Sequence, residues 1–402
     1  MKYIVVLGDG MADEPIEALG GKTPLEAAKT PAMDELAKVS EIGLLHTIPE
    51  GMKPGSDTAN LSVLGYDPKK YYSGRSPLEA LSIGVKMEDG DVAMRCNIVT
   101  LSEEEGIPFS KRTILDHSSG EISTEDAAVL VEALRPLIDN EKYHIYVGTS
   151  YRHCLIEKKG KVRELSQPHD HLGEVIGEYL PEDPLLLEFM EKSYEILKDH
   201  PINLERKKRG ENPANCCWFW GAGTKPALSP FEEKTGLKGV MISAVDLLKG
   251  IAVGADMGVK IVEGANGGLN TNYEGKADAA VDALLDEGYD FAYIHVEAPD
   301  EMGHQGSVEK KVRSIEYLDS RVIKRVVDRM KASGEDFRLA VLPDHPTPIR
   351  IRTHSSDPVP YLLYDSTQEK SSDRKYNEKE AKASGIFMKE GPMLMEKLIR
   401  KG

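Results

Sequence analysis

Residues 3–10, YIVVLGDG, form an unbroken apolar run that stops at Gly-Asp-Gly. A run apolar on both faces reads as a buried parallel strand, with Asp9 at its C-terminal end. Residues 23–39, TPLEAAKTPAMDELAKV, follow at helical spacing with two Thr-Pro starts. Residues 41–49 read as a second strand, so the chain opens as βαβ. The same grammar returns late: strands at 258–264, 290–299 and 337–344, with helices at 272–288 and 308–333 between them. In the middle the pattern changes. Strands at 91–101 and a hairpin at 143–165 surround an amphipathic helix at 124–138, and CCWFWGAG (216–223) reads as a packed strand and turn. These patterns predict an α/β protein whose mostly parallel sheet carries helices on both faces. Its core is discontinuous, residues 1–84 and 238–402, with an α+β domain inserted at 85–237. Residues 365–381, DSTQEKSSDRKYNEKEA, read as a polar surface segment or mobile loop.

Composition narrows the function classes. A chain of 402 residues can bury a large core, and a net charge of -16 disfavours nucleic acid, whose phosphates want a basic face. Small anionic substrates stay open, because a site can be locally positive inside an acidic protein. The N-terminal apolar run is too brief for a signal-peptide core, and no later stretch reaches the ~18 apolar residues of a membrane span. Cys96, Cys154, Cys216 and Cys217 lack CxxC spacing. They read as small packed hydrophobes in a reduced, cytoplasmic setting.

The chemistry gathers where the core strands end. In open α/β sheets, ligands collect outside the carboxyl ends of the strands, and three predicted strands end in potential metal ligands. These are Asp9, then Asp300 in APDEMGHQG (298–306), then Asp344 and His345 in VLPDHPTP (341–348). Asp300 and His304 are four apart, a spacing that puts two side chains on one helical face. His354 follows nine residues after His345. Three aspartates and three histidines at corresponding places in one sheet suggest two divalent ions, and oxygen with imidazole nitrogen suits zinc or manganese. A dinuclear site commonly clamps a phosphoryl group while activating a nucleophile. PGSDTANLSVLGYDP (54–68) offers Ser56 where a helix can begin, and free backbone N–H groups there favour a phosphate.

With these motifs in place, the chain resembles the archaeal-type cofactor-independent phosphoglycerate mutases of the alkaline phosphatase superfamily. The matching stretches are VLGDGMAD, PGSDTANLSVLGYDP, PANCCWFWGAG, TNYEGKA, PDEMGHQG, PDHPTP and HSSDPVP, which run in order from residue 6 to residue 360. The resemblance implies an alkaline-phosphatase-like core and two divalent ions, manganese or zinc, with cobalt also accepted. One ion would be held by Asp9, Ser56, Asp344 and His345, the other by Asp300, His304 and His354. It further implies a glycolytic isomerase that interconverts 3- and 2-phosphoglycerate through a phosphoserine at Ser56, without bisphosphoglycerate. Its partner would be a small phosphorylated hydroxy acid.

The inserted module and its surroundings would then hold the substrate. Arg152 leads the candidates because a guanidinium matches a carboxylate bidentately. His153, Arg95 and Asp116 join it from the insert, Lys249 and Lys276 from the core. One stretch departs from the family pattern. DHSSGEIS (116–123) carries His117, Ser118 and Ser119 where the archaeal mutases carry arginines. That leaves two alternatives on the same metal core: transfer to another small hydroxyl acceptor, as in a sister group proposed to be homoserine kinases, or hydrolysis as a phosphatase.

Overall fold

In the computed structural model, which describes residues 1–368 and 371–400, the chain divides into two compact units. One comprises residues 1–72 and the chain from 227 onward, the other residues 73–226. The joints therefore fall earlier than the 84/85 and 237/238 boundaries read from the sequence. Helix Arg75–Ser82 explains the first: it buries Ala80 against Ala93, Cys154 and Ile156 of the smaller unit's sheet. Helix Phe231–Thr235 explains the second, since Phe231 packs on Phe291 of the larger unit with ring centroids 4.9 Å apart.

The described residues form thirteen strands. They are β1 (Lys2–Gly8), β2 (Glu41–Leu45), β3 (Val92–Leu101), β4 (Ile114–Asp116), β5 (Tyr143–Thr149), β6 (Arg152–Glu157) and β7 (Cys216–Thr224). The rest are β8 (Gly239–Ile242), β9 (Gly258–Lys260), β10 (Phe291–Val296), β11 (Phe337–Leu342), β12 (Val359–Asp365) and β13 (Phe387–Met388). The larger unit's sheet runs β13-β2-β12-β11-β1-β10-β8-β9. β1 lies between β10 and β11, parallel to both, with Gly8 level with Val296 and Leu7 level with Leu342. The carboxyl ends of three neighbouring strands thus stop at one level, which is what positions the site. β12 is antiparallel to both β11 and β2. The opening βαβ is consequently not a pair of neighbours: β11 and β12 stand between β1 and β2.

Continuous apolar runs became the central strands because both faces are covered. Ile4, Val6, Ile294, Leu339 and Val341 are wholly buried, against Ala277, Ala280 and Leu284 of helix Tyr273–Asp286, among others. The helix read at 23–39 breaks into Pro24–Ala27 and Pro31–Ala37, because the residue before a proline is driven out of helical geometry. The helix read at 308–333 is continuous but passes through a π-helical turn at Leu318–Ile323. That turn presents Asp319, which accepts hydrogen bonds from Met33 N (2.7 Å) and Ala32 N (3.2 Å) and so caps helix Pro31–Ala37 from a distance. Thr30, at the cap position itself, makes no such bond.

In the smaller unit, β4-β3-β6-β5 pair in antiparallel order and β7 pairs with β3. Helices Thr124–Ile138 and Pro184–Leu197 pack in a second core with β3 and β7. All four cysteines are free thiols and buried. Of the polar segment 365–381, residues 369–370 lie outside the described residues, while Tyr376 is buried and Glu378–Ala383 is helical. Among the described residues no helix is long and apolar enough to cross a membrane.

Candidate metal centre

Asp9 follows the last residue of β1, and its backbone N–H donates to Val296 O at 2.9 Å, which holds it against the end of β10. Helix Ala298–His304 starts just after β10 and carries Asp300 and His304 one turn apart. Asp344 and His345 lie two and three residues beyond β11, and His354 sits on the loop between β11 and β12. Ser56 opens helix Ser56–Val63, preceded by Gly55, which has no side chain to cap the free N–H groups. The turn after β2 is tied to the same place, since Thr47 Oγ1 donates to Asp344 O at 2.5 Å.

These side chains converge. Ser56 Oγ lies 3.1 Å from His345 Nε2 and 3.5 Å from Asp9 Oδ2. His345 Nε2 is 3.5 Å from both Asp9 Oδ1 and Asp344 Oδ2. His304 Nε2 is 3.1 Å from Asp300 Oδ2 and 3.0 Å from His354 Nε2, and His354 Nε2 is 3.5 Å from Asp300 Oδ1. The His345 and His354 rings stand 4.1 Å apart, so the two groups are contiguous. Among the described residues three triads have ligand atoms close enough to share one ion: Asp300, His304 and His354; Asp9, Asp300 and His345; and Asp9, His295 and Asp344.

The electrostatics call for cations. Burial pushes the Asp9 carboxyl well above the usual carboxylate range, and the charges of Asp344 and Asp300 raise it further. Asp9 Oδ1 is buried with no hydrogen-bond donor among the described residues. A hydrogen bond to Asp300 holds His304 up at about 9. His304 Nδ1 lies 2.9 Å from Arg352 O, where its N–H donates, so Nε2 is the nitrogen offered to Asp300 and His354. Lone pairs meeting this closely need a proton or a cation among them. Carboxylate oxygen with imidazole nitrogen and no thiolate is the donor chemistry of manganese, zinc and cobalt, so these residues fit divalent ions.

A family model described as 2,3-bisphosphoglycerate-independent phosphoglycerate mutase matches residues 37–203. The enzyme of that name from Methanosarcina barkeri is 49% identical, over all of this chain and all of its own length. This chain belongs to the cofactor-independent phosphoglycerate mutase family. A probable member from Geobacter sulfurreducens is 46% identical over 99% of this chain and all of its own. Among solved structures, a Pyrococcus horikoshii protein superposes with a TM-score of 0.82 at 31% identity, covering 99% of this chain and 96% of its own. The Thermoplasma acidophilum cofactor-independent phosphoglycerate mutase gives 0.67 at 28% identity, covering 99% of each chain.

The residues that the family resemblance suggested for substrate differ in how freely they can act. Arg95 donates from Nε to Glu79 Oε2 at 2.7 Å, pairs a second nitrogen with Oε1, and lies 4.4 Å from the centroid of Trp220. Its fork is already engaged. His153 is buried, accepts from Gly148 N at 3.1 Å, and is pushed down by burial to about 4. Asp116 accepts from Ser118 N, Gly120 N and Asn212 Nδ2, which fixes its own loop. Lys276 is wholly buried and donates to His295 O at 3.0 Å. Arg152, exposed beside Tyr151, and Lys249, nearly one helical turn from its partner Asp246, keep their cations nearest to solvent.

Sequence reasoning missed His295, Asn60 and Thr347, each hydrogen-bonded to one of the aspartates. Only His295 left a trace: it is an imidazole inside the otherwise apolar run of β10. Burial pushes it down to about 3, so it is neutral at physiological pH.

Proposed function

We propose that this chain is a 2,3-bisphosphoglycerate-independent phosphoglycerate mutase that moves a phosphoryl group between the 3- and 2-positions of glycerate by way of Ser56. The observation that carries the reading is the approach of Ser56 Oγ to His345 and Asp9 at the edge of the aspartate–histidine cluster. Asp9, Ser56, Asp344 and His345 would hold one divalent ion, and Asp300, His304 and His354 the other. Manganese or zinc fits best, with cobalt as a further option. When bound, the pair supplies charge neutralisation for the phosphoryl group and lowers the pKa of the serine hydroxyl.

The chain's own residues do the rest. Ser56 Oγ attacks phosphorus in line as the bond from phosphorus to the substrate's C3 oxygen breaks, and that oxygen takes a proton. Phosphoserine then stands at the start of helix Ser56–Val63, where the free N–H groups and the helix dipole favour its negative charge. Glycerate turns to present its C2 hydroxyl, which loses its proton as it attacks phosphorus and frees Ser56. Two transfers of opposite sense leave no net change except the position of the phosphate. Arg152 and Lys249 are the cations we assign to the substrate carboxylate and phosphate. The free, buried thiols suit a reducing, cytoplasmic setting.

The test is turnover of both phosphoglycerates by protein loaded with manganese, with no bisphosphoglycerate added. Interconversion that is lost on chelation and restored by metal is expected; no turnover by the loaded protein would overturn the reading. A second reading, transfer to an acceptor such as homoserine, is favoured by one observation. The loop at 116–119 has no arginine, and its Asp116 is turned onto its own backbone. Offering homoserine beside glycerate as acceptor separates the two.

A further inference from the structure

Each aspartate of the centre is touched from behind by one neutral, buried side chain. His295 Nε2 lies 2.9 Å from Asp9 Oδ2. Asn60 Nδ2 donates to Asp344 Oδ2 at 2.9 Å. Thr347 Oγ1 donates to Asp300 Oδ1. His295, Asn60 and Thr347 are each wholly buried.

Each of these donors is itself oriented by a further partner. Ser243 Oγ accepts from Val245 N at 3.0 Å, which frees its own proton for His295 Nδ1 at 3.2 Å. His295 Nδ1 is then the acceptor and Nε2 carries the hydrogen that faces Asp9. Tyr293 donates its hydroxyl to Asn60 Oδ1 at 2.6 Å, which fixes the amide so that its nitrogen faces Asp344. Thr347 Oγ1, having given its proton to Asp300, accepts from His345 Nδ1 at 3.3 Å. This leaves His345 Nε2 with a free lone pair on the side of Ser56. The same Asn60 nitrogen also donates to Ser56 O at 2.8 Å, so one amide links the turn bearing the nucleophile to a ligating carboxylate.

We propose that His295, Asn60 and Thr347 are positioning residues, one neutral donor for each of the three aspartates, and that Asn60 additionally sets the attitude of Ser56. Neutral donors orient a carboxylate without cancelling its charge. Three carboxylates with neutral imidazoles then leave two divalent ions with a small net positive charge, which complements a phosphoryl dianion. A lysine or arginine in any of these places would compete with the ions for the same oxygens. Outer partners of metal ligands are generally worth about 10- to 100-fold in affinity.

The inference rests on the two-ion reading, and the experiment separates them. Metal-free wild type, Thr347→Val, Thr347→Ser, His295→Leu and Asn60→Leu are titrated with manganese by calorimetry, and folding is checked by circular dichroism. The wild type is expected to take up two ions. Thr347→Val and His295→Leu should bind about 10- to 100-fold more weakly, and Thr347→Ser, which keeps the hydroxyl, should return close to wild type. At saturating manganese Asn60→Leu should lower kcat more than it raises KM, because the nucleophile rather than substrate binding is disturbed. Two ions in the wild type with equal affinity in Thr347→Val, or Thr347→Ser as weak as Thr347→Val, would overturn this inference alone. A folded wild type that binds no pair of ions would overturn the two-ion reading and this inference with it.

Discussion

At the scale of single residues, the centre depends on how closely the backbone packs around it. Gly10 has φ +59°, in the left-handed region, and a Cβ there would sit 2.8 Å from Asp300 Cα and collide with the Thr347 hydroxyl. Gly10→Ala is expected to lower stability by about 2 kcal/mol or more, from strain and overpacking together, and to weaken manganese uptake. A thermal melt and a metal titration check the two effects separately. The aspartates and histidines that converge were legible in the sequence as candidate ligands because strand ends are easy to see: an apolar run stops and a carboxylate follows. Asn60 and Thr347 were not legible. They are ordinary polar residues whose role depends on which atoms face them, and only the fold brings Tyr293 to Asn60 or Thr347 to Asp300.

At the scale of elements, two remote ties are exposed to test. Asp319, presented by a π-helical turn, caps helix Pro31–Ala37 in place of Thr30. Asp319→Ala should cost about 1–2 kcal/mol, the usual worth of a lost cap, with no change in metal binding, as read by urea denaturation. In the smaller unit, Glu157 is buried at the end of β6 and paired with Arg163 and Lys142. Burial alone would raise its carboxyl, but hydrogen bonds from the two cations outweigh it and hold Glu157 down at about 2. A depressed carboxyl favours the fold above the unfolded value near 4.5 and loses that contribution as pH falls toward 2. Glu157→Gln should therefore lower stability at neutral pH by on the order of 2 kcal/mol and flatten the pH dependence between 4.5 and 2. Equal acid sensitivity in wild type and variant would contradict that assignment. The helix at 308–333 was visible as an apolar stripe, but the π-turn within it was not, since an extra residue in one turn hardly alters the periodicity.

At the scale of the whole molecule, the discontinuous arrangement was readable because strand–helix alternation stops and later resumes. The joints were less readable: helix Arg75–Ser82 is amphipathic whichever core it serves, and only its contact with Ala93 and Ile156 assigns it. Strands β8 and β12 escaped notice for a related reason, being short or antiparallel within a sheet otherwise read as parallel. Residues 73–226 are one continuous segment with its own buried core. Expressed alone, that segment should fold and unfold cooperatively in a thermal melt, and a broad, non-cooperative transition would contradict its standing as a separate unit. The account as a whole turns on Ser56. Rapid quenching of manganese-loaded protein during turnover of 3-phosphoglycerate, followed by mass spectrometry of its peptides, should find phosphate on Ser56 and turnover abolished in Ser56→Ala. Undiminished turnover by Ser56→Ala, or phosphate carried on some other residue, would contradict it.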